Sequence, residues 1–458
     1  MSFDPKNLPD ERPPSLDAQG FRNFIHPAEV KGFFRKWRTA VYAFLIFLFL
    51  VVPWTTYQGK QTILLDLAQR EFTFFNSTFY AHDGPLIFFP LFIFVVTLVY
   101  ITSVFGRAWC GWACPQTVFI DFIYRRIETW IEGNHIKRRK LDAAPMDLNK
   151  FIKKSIKWFL FFIVSAHIAH SFTAYFVGAK SLVWITLGSP LEHWALFLFV
   201  QFMTLLFLFD FGWFREQFCI IMCPYGRFQS VLMGKDSLAV LYDEKRGEPR
   251  GKKSEGDCID CYKCVNVCPT GIDIRKGVQL ECIACTACID ACDDVMEKIK
   301  KPKGLIRYSS VAEIDEGKKT NPFNIRSSIY LAVLVGLISV FTIILTRRQP
   351  VEIKALRATS APFQKINENG KTLILNHFRI HLINQSNEVK ELRILKSDPK
   401  FSIIAPLFPV NIEPGESSWA HVFIKAPVEL FKEQKFIKYE LNIEGGVKKT
   451  VPLKLLGP

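Results

Sequence analysis

Five stretches of this chain are apolar and long enough to cross about 30 Å of bilayer hydrocarbon, which takes about 20 residues. They run near 39–56, 86–105, 156–177, 193–214 and 326–346. The last is the cleanest, with no charge from Ile329 to Leu345, while Asp210 sits near the end of the fourth, where water should begin. In lipid every backbone polar group must be satisfied within the protein, so stretches of this length read as helices. Of the 458 residues 43 are Phe, and they crowd into these segments, as in Phe44, Phe47, Phe49 and Phe197, Phe199, Phe202. Yet 22% of residues are charged and the formal net charge is +15, so large parts of the chain lie in water. Such a composition excludes both a wholly buried and a disordered chain.

The short flanks of the stretches set an orientation through their Lys and Arg content. Lys31, Arg35, Lys36 and Arg38 precede the first stretch, and 125–157 holds ten Lys or Arg, whereas 57–85 has only Lys60 and Arg70 and 178–193 only Lys180. The N-terminus, 106–155 and 215–325 are therefore expected to face the cytoplasm, and the tail from about 348 the outside. Arg347 and Arg348 oppose this, Lys318, Lys319 and Arg326 offset them, and the parity of five spans decides. The polar start (Asp4, Pro5, Asp10, Glu11, Pro13, Pro14) carries no basic-then-apolar signal. Much of the +15 is then topology and attraction to the lipid surface, and no nucleic-acid partner is expected.

The tail reads as strands. Ile437, Tyr439, Leu441 and Ile443 alternate with Lys438, Glu440 and Asn442, and Gly445-Gly446 offers a turn into 447–455. Asn369-Gly370 and Pro414-Gly415 mark further turns, which together suggest a β-sandwich without a cysteine.

All twelve cysteines fall between 110 and 292, and eight lie between Cys258 and Cys292. A disulfide scaffold would spread them, so the crowding points to metal. Cys258-x-x-Cys261-x-x-Cys264-x-x-x-Cys268-Pro269 is repeated 24 residues on as Cys282-x-x-Cys285-x-x-Cys288-x-x-x-Cys292. In this bacterial run three close thiolates wrap one cubane and the fourth reaches the other. Cys258, Cys261, Cys264 and Cys292 are thus expected to hold one [4Fe–4S] cluster, and Cys268, Cys282, Cys285 and Cys288 the second. Pro269 turns the chain away after Cys268. A pair of zinc sites is the competing reading, and the doubled spacing with its Cys-Pro weighs against it.

The other four cysteines form a second repeat, Trp109-Cys110-x-x-x-Cys114-Pro115 and Phe218-Cys219-x-x-x-Cys223-Pro224, at the ends of the second and fourth stretches. Phe119 and Phe228 each follow the second cysteine by five, so the two units read as an internal duplication. A four-residue spacing puts both sulfurs on one helix face. The proline favours a new helix start whose dipole, with Arg107, Arg215 and Arg227, would lower the thiol pKa. Such a set suits a redox-active or copper-handling site or a third iron–sulfur cluster; the bland alternative is four buried small hydrophobes.

After Pro115, Phe119, Ile123, Ile127, Trp130 and Ile131 share one face, with Asp121, Arg125, Glu128 and Glu132 elsewhere, as in an interfacial helix. His167 and His170 sit inside the third stretch, where a haem or quinone site is conceivable and interhelical hydrogen bonding is the preferred expectation. No Gly-x-Gly, P-loop or His-Glu-x-x-His occurs, so the electrons must come from a partner donor or a quinol.

Arg107 to Gln116, Arg215 to Ser230, Tyr242 to Gly251, Cys268 to Arg275 and Ala287 to Asp294 closely resemble the cytochrome oxidase accessory protein family (CcoG, also called FixG or RdxA). That likeness covers about 30–345, and the tail looks like the family's immunoglobulin-like domain. The resemblance implies a bacterial inner-membrane polyferredoxin that helps assemble cbb-type haem–copper oxidases. Cupric reductase activity at Cys110, Cys114, Cys219 and Cys223 would supply Cu(I) to a copper-exporting ATPase or to the oxidase assembly machinery.

The expected architecture is a multidomain membrane protein. It has an N-terminal cytoplasmic segment (1–38), a four-span α-helical core (39–235), an inserted 2×[4Fe–4S] ferredoxin (236–325), a fifth span (326–346) and a periplasmic immunoglobulin-like β-sandwich (347–458). A quinol dehydrogenase-like relay and a non-catalytic assembly scaffold are the rival readings.

Overall fold

The computed structural model describes Ser15, 22–57, 60–68, 71–75, 77–80, 84–251, 254–317, 321, 324–347, 349–358, 362–368, 371–386, 388–395, 400–431, 435–444 and 448–458. The proline-rich start from Asp4 to Pro14, Arg70, Lys318, Lys319, Arg348 and the expected turns at Asn369-Gly370 and Gly445-Gly446 lie outside these residues. The chain divides into two compact units, the first made of 1–66 and 88–339, the second of 67–87 and 340–458.

Five helices are long and apolar enough to cross a membrane: Phe33–Trp54, Leu86–Phe105, Leu148–Val177, Trp194–Phe214 and Ile325–Thr346. All five expected spans are borne out, but the first and third helices begin at 33 and 148 rather than 39 and 156. Hydropathy marks where lipid begins, whereas a helix continues until its backbone is capped. At the third helix the Asp147 side chain accepts from the Lys150 N–H at 2.7 Å. The expected N-terminal segment of 1–38 therefore already contains the first turn of a helix. In the second unit a short hairpin, Glu71–Phe74 against Ser77–Tyr80, was not legible in the sequence.

The expected interfacial helix after Pro115 is corrected. It is interrupted as Pro115–Phe119, a π turn at Ile120–Tyr124, and Arg125–Glu132. Its supposed polar face is turned inward: Asp121, Glu128 and Glu132 are buried, while Trp130 is 79% exposed. The wider π turn shifts the register part-way along the segment, which a single periodic face cannot express.

The cysteine-rich segment hangs on a two-stranded sheet, Ala239–Tyr242 antiparallel to Ile306–Ser309. Between those strands run the short helix Lys263–Asn266 and the longer Ala287–Lys298. Ile272, Ile274, Ile289, Val295, Met296, Leu305 and Ile306 form the apolar core around which the cysteines are placed.

In the second unit, Val351–Arg357, Lys371–Asn384, Ser417–Pro427 and Ser402–Ile404 make one sheet, joined at Lys371–Asn384 by Gln364–Glu368. Val410–Ile412, Lys390–Leu395, Phe436–Glu444 and Lys448–Leu456 make the other. The expected alternation holds in Phe436–Glu444, where Tyr439, Leu441 and Ile443 are buried, and this strand pairs with Lys448–Leu456 so that Ile437 faces Leu455. Ile374, Ile380, Leu382, Val422 and Ile424 from the first sheet fill the same core. Each fully buried aliphatic side chain is worth about 1.5–3 kcal/mol, which lets the sandwich stand without a disulfide.

Candidate electron-transfer site

Two small interior cavities of the ferredoxin region, about 20 Å³ each, collect the eight clustered cysteines. One is lined by Cys268, Cys282, Cys285 and Cys288, and the other by Cys258, Cys261, Cys264 and Cys292; Cys264 also borders the first. The fourth cysteine of each run thus faces the other run's cavity. Among the described residues no three His, Cys, Asp or Glu donors close around a single ion. A cubane takes one thiolate per iron, so its ligands stand farther apart than those of zinc. The donor set and the paired cavities therefore fit two [4Fe–4S] clusters.

The local backbone explains how each run wraps. Asp260 and Tyr262 flank Cys261 with φ of 55° and 57°, and Ala284 and Thr286 flank Cys285 with φ of 51° and 62°. Left-handed conformations at non-glycine residues cost about 1–2 kcal/mol each and persist where the surroundings impose them. Their recurrence at matched positions shows that the sequence repeat is also a repeat of backbone shape. Burial pushes the thiols of Cys268, Cys264, Cys282 and Cys292 up, the first to about 11 and the others to about 12, so cluster insertion must displace protons.

At the second cysteine repeat the structure corrects two expectations. The paired sulfurs do not share one helix: Cys110 lies in Ala108–Trp112 and Cys219 in the π turn Phe218–Met222, whereas Cys114 and Cys223 are extended N-caps of the helices that begin at Pro115 and Pro224. Nor is the Cys114 thiol acidified by its helix start. Burial raises it, outweighing the backbone N–H groups of Gln116 and Thr117. Burial likewise pushes Cys110 up to about 11, against a hydrogen bond from Gln229 and the charge of Arg107, and raises Cys219. Cys110, Cys114 and Cys223 each act electrostatically on Cys219, so the four thiols lie near one another, though among the described residues no three of them close around a single ion. The buried Gln229 donates from Nε2 to the Cys110 Sγ at 3.1 Å. Of the arginines expected to assist, Arg227 is exposed and Arg215 turns to Glu128.

The two cysteine repeats meet through a dense set of contacts. Gly111 lies against the ferredoxin backbone: a Cβ there would stand 2.5 Å from the Ala284 carbonyl oxygen and 2.7 Å from that of Ile283. Arg107 donates to the carbonyls of Leu280, Cys282 and Gly226, joining the cluster loop to the second thiol motif. Tyr42 donates to the Gly111 carbonyl at 2.5 Å, and Trp112 Nε1 to the Tyr308 hydroxyl at 3.0 Å. The Asp290 carboxylate, between two cluster cysteines, accepts from the N–H groups of Phe34 at 3.1 Å and Arg35 at 2.7 Å, capping the first membrane helix. No local sequence signal marks these pairings.

A buried ion-pair network supports this assembly. Glu128 pairs with Arg215 at 2.6 Å and Arg138 at 3.1 Å, Lys157 with Glu132 at 2.8 Å, and Arg38 with Asp121 at 3.0 Å; Arg35 also reaches Asp121, and Arg125 reaches Glu216. Burial alone would raise the Asp121 and Glu128 carboxyls, but the surrounding Arg and Lys charges hold both down to about 2. Removing one partner of such a pair strands the others. Glu128→Gln is expected to cost about 3–5 kcal/mol, read as a lower unfolding midpoint in neutral detergent. The folded values lie below the ordinary 3.8 and 4.5, so this stabilisation is complete above about pH 4.5 and is lost as pH falls toward about 2. The wild type should lose stability across that window more steeply than Glu128→Gln does.

His170 Nδ1 contacts the Ala166 carbonyl of its own helix at 2.8 Å rather than another helix, and His167 is exposed. Asp210 is held by Gln116 Nε2 at 2.9 Å, directly after the first thiol motif.

Comparison with known proteins agrees with this geometry. Residues 214–254 and 248–311 match a family described as a 4Fe-4S dicluster domain, and 87–139 one described as a 4Fe-4S binding domain. Residues 341–458 match an IG-like fold at the C-terminal of FixG. The chain is 35% identical to Protein RdxB of Cereibacter sphaeroides over 91% of each protein. It is 33% identical to RdxA of the same organism over 81% of this chain and 82% of that one. With the nitrogen fixation protein FixG of Rhizobium meliloti it shares 36% identity over 64% of this chain and 58% of that one.

Proposed function

Since this chain belongs to the FixG/RdxA family, we propose that, as an iron–sulfur electron-transfer protein of the bacterial inner membrane, it reduces Cu(II) to Cu(I) for the maturation of a cbb-type oxidase. The N-terminus, both thiol motifs and the ferredoxin face the cytoplasm, as the Lys and Arg bias of the flanks favours, and the sandwich is periplasmic. The Cu(I) product passes to a copper-exporting ATPase or to the oxidase assembly machinery. When bound, the two clusters supply electrons one at a time, which matches the single electron each Cu(II) takes up. Cys110, Cys114, Cys219 and Cys223 receive the copper substrate, and soft thiolates favour its reduced form. Gly111 against Ala284 is the observation that carries this reading, because it seats the first thiol motif directly on the backbone of a cluster loop. Cys110→Ser with Cys219→Ser is expected to abolish copper reduction by the purified protein while both cluster spectra remain. Survival of copper reduction in that double variant sinks the assignment.

One observation favours a second reading. The 4Fe-4S binding match over 87–139 contains only Cys110 and Cys114 as cysteines, which supports a third iron–sulfur centre at the four thiols. Anaerobically purified protein carries about eight irons under the first reading and about twelve under the second.

A further inference from the structure

A cavity of about 460 Å³ opens between the segment before the first membrane helix, the interrupted helix after Cys114 and the ferredoxin, and Cys219 and Cys285 are both in its wall. That volume is typical of a small-molecule site. Its charge is lopsided. Lys31, Arg35, Arg38, Arg125, Arg126 and Arg138 line it, against Glu29, Asp121 and Glu216. Arg35, Arg38 and Arg125 all share Asp121. Arg126 and Lys31 have no carboxylate partner among the described residues; Arg126 lies over the Phe122 ring at 4.1 Å.

Arg38 and Arg138 are 3% and 2% exposed and are engaged by Asp121 and Glu128, which leaves Arg126 and Lys31 as the cationic groups in the wall open to an occupant. Guanidinium groups match the oxygens of phosphate and carboxylate. We propose that this cavity binds a small multivalent anion bearing phosphate or carboxylate groups, held beside Cys219 and Cys285. The inference stands apart from the copper reading, since it rests on the basic wall of the cavity and not on the thiols.

The phosphate could belong to a soluble molecule or to a lipid headgroup, because the first membrane helix begins at this wall. The test uses the full chain, with clusters loaded, in discs of phosphatidylcholine and in discs that also contain phosphatidylglycerol. Inorganic pyrophosphate is titrated by calorimetry. Saturable binding near one per chain is expected, weakened at least about tenfold by Arg126→Ala and by Lys31→Ala, with cluster absorbance unchanged. Equal binding in both discs assigns the site to a soluble anion, and block by phosphatidylglycerol assigns it to a headgroup. Absence of saturable binding in the phosphatidylcholine discs, or binding that neither variant weakens, overturns the proposal.

Discussion

Cys292→Ala is expected to remove the cluster built by the first cysteine run, although Cys292 belongs to the second. Its thiol faces the cavity of Cys258, Cys261 and Cys264, while Cys268 faces that of Cys282, Cys285 and Cys288. Iron should fall from about eight to about four per chain, since a cubane missing one thiolate is poorly held. The decisive measurement pairs variants by spectrum. Cys292→Ala should leave the same residual electron paramagnetic resonance signal as Cys258→Ala, and Cys268→Ala the same as Cys282→Ala. If Cys292→Ala instead matches Cys282→Ala, each run holds its own cluster and the crossed arrangement fails. Cys264 borders both cavities, so the two centres are expected to lie close enough for their spins to interact.

Gly111→Val is the second large effect. Ala284 and Ile283 present backbone oxygens 2.5 and 2.7 Å from where even a Cβ would be, and backbone cannot swing aside as a side chain can. Ala284 is itself held at φ 51°, and its neighbour Cys285 accepts from Arg38, so the loop has little freedom to yield. Overpacking of this kind costs about 1–3 kcal/mol or more. The loop would separate from the first thiol motif, and under the proposed function copper reduction should fall at least about tenfold with both clusters retained. Gly336→Ala is the control: nothing lies within 4 Å of its added Cβ, and the unfolding midpoint should stay within experimental error of the wild type. A Gly111→Val protein as active as the wild type would show that the close approach has no part in electron delivery.

What could be read from the sequence follows from how locally each feature is encoded. Hydropathy is a running property, so the five spans emerge from the residues that form them. The cluster runs are equally local, because a cubane demands thiols at fixed short intervals. Periodicity misjudged Glu128 because its partner Arg215 stands 87 residues away, and a charge that is paired at long range looks like one facing solvent. The two thiol motifs are legible as a pair, but their proline suggests a helix-dipole device. The structure makes Cys114 a half-buried cap whose environment opposes ionisation. Gln229 gives no signal beyond its place six residues after Cys223, in the helix that follows the motif, since a buried glutamine beside a thiol has no pattern of its own.

The cap supplied by Asp290 sets an order of events during synthesis. The first membrane helix emerges some 256 residues before the side chain that satisfies its leading N–H groups. At about 5–20 residues per second that interval is roughly 10–50 s. Through it the side chains of Arg35, Arg38 and Tyr42 can already find Asp121 and Gly111, but the leading N–H groups stay uncapped while the remaining core spans are made. The cap comes only with the ferredoxin, so the last soluble segment translated before the fifth span completes the start of the first.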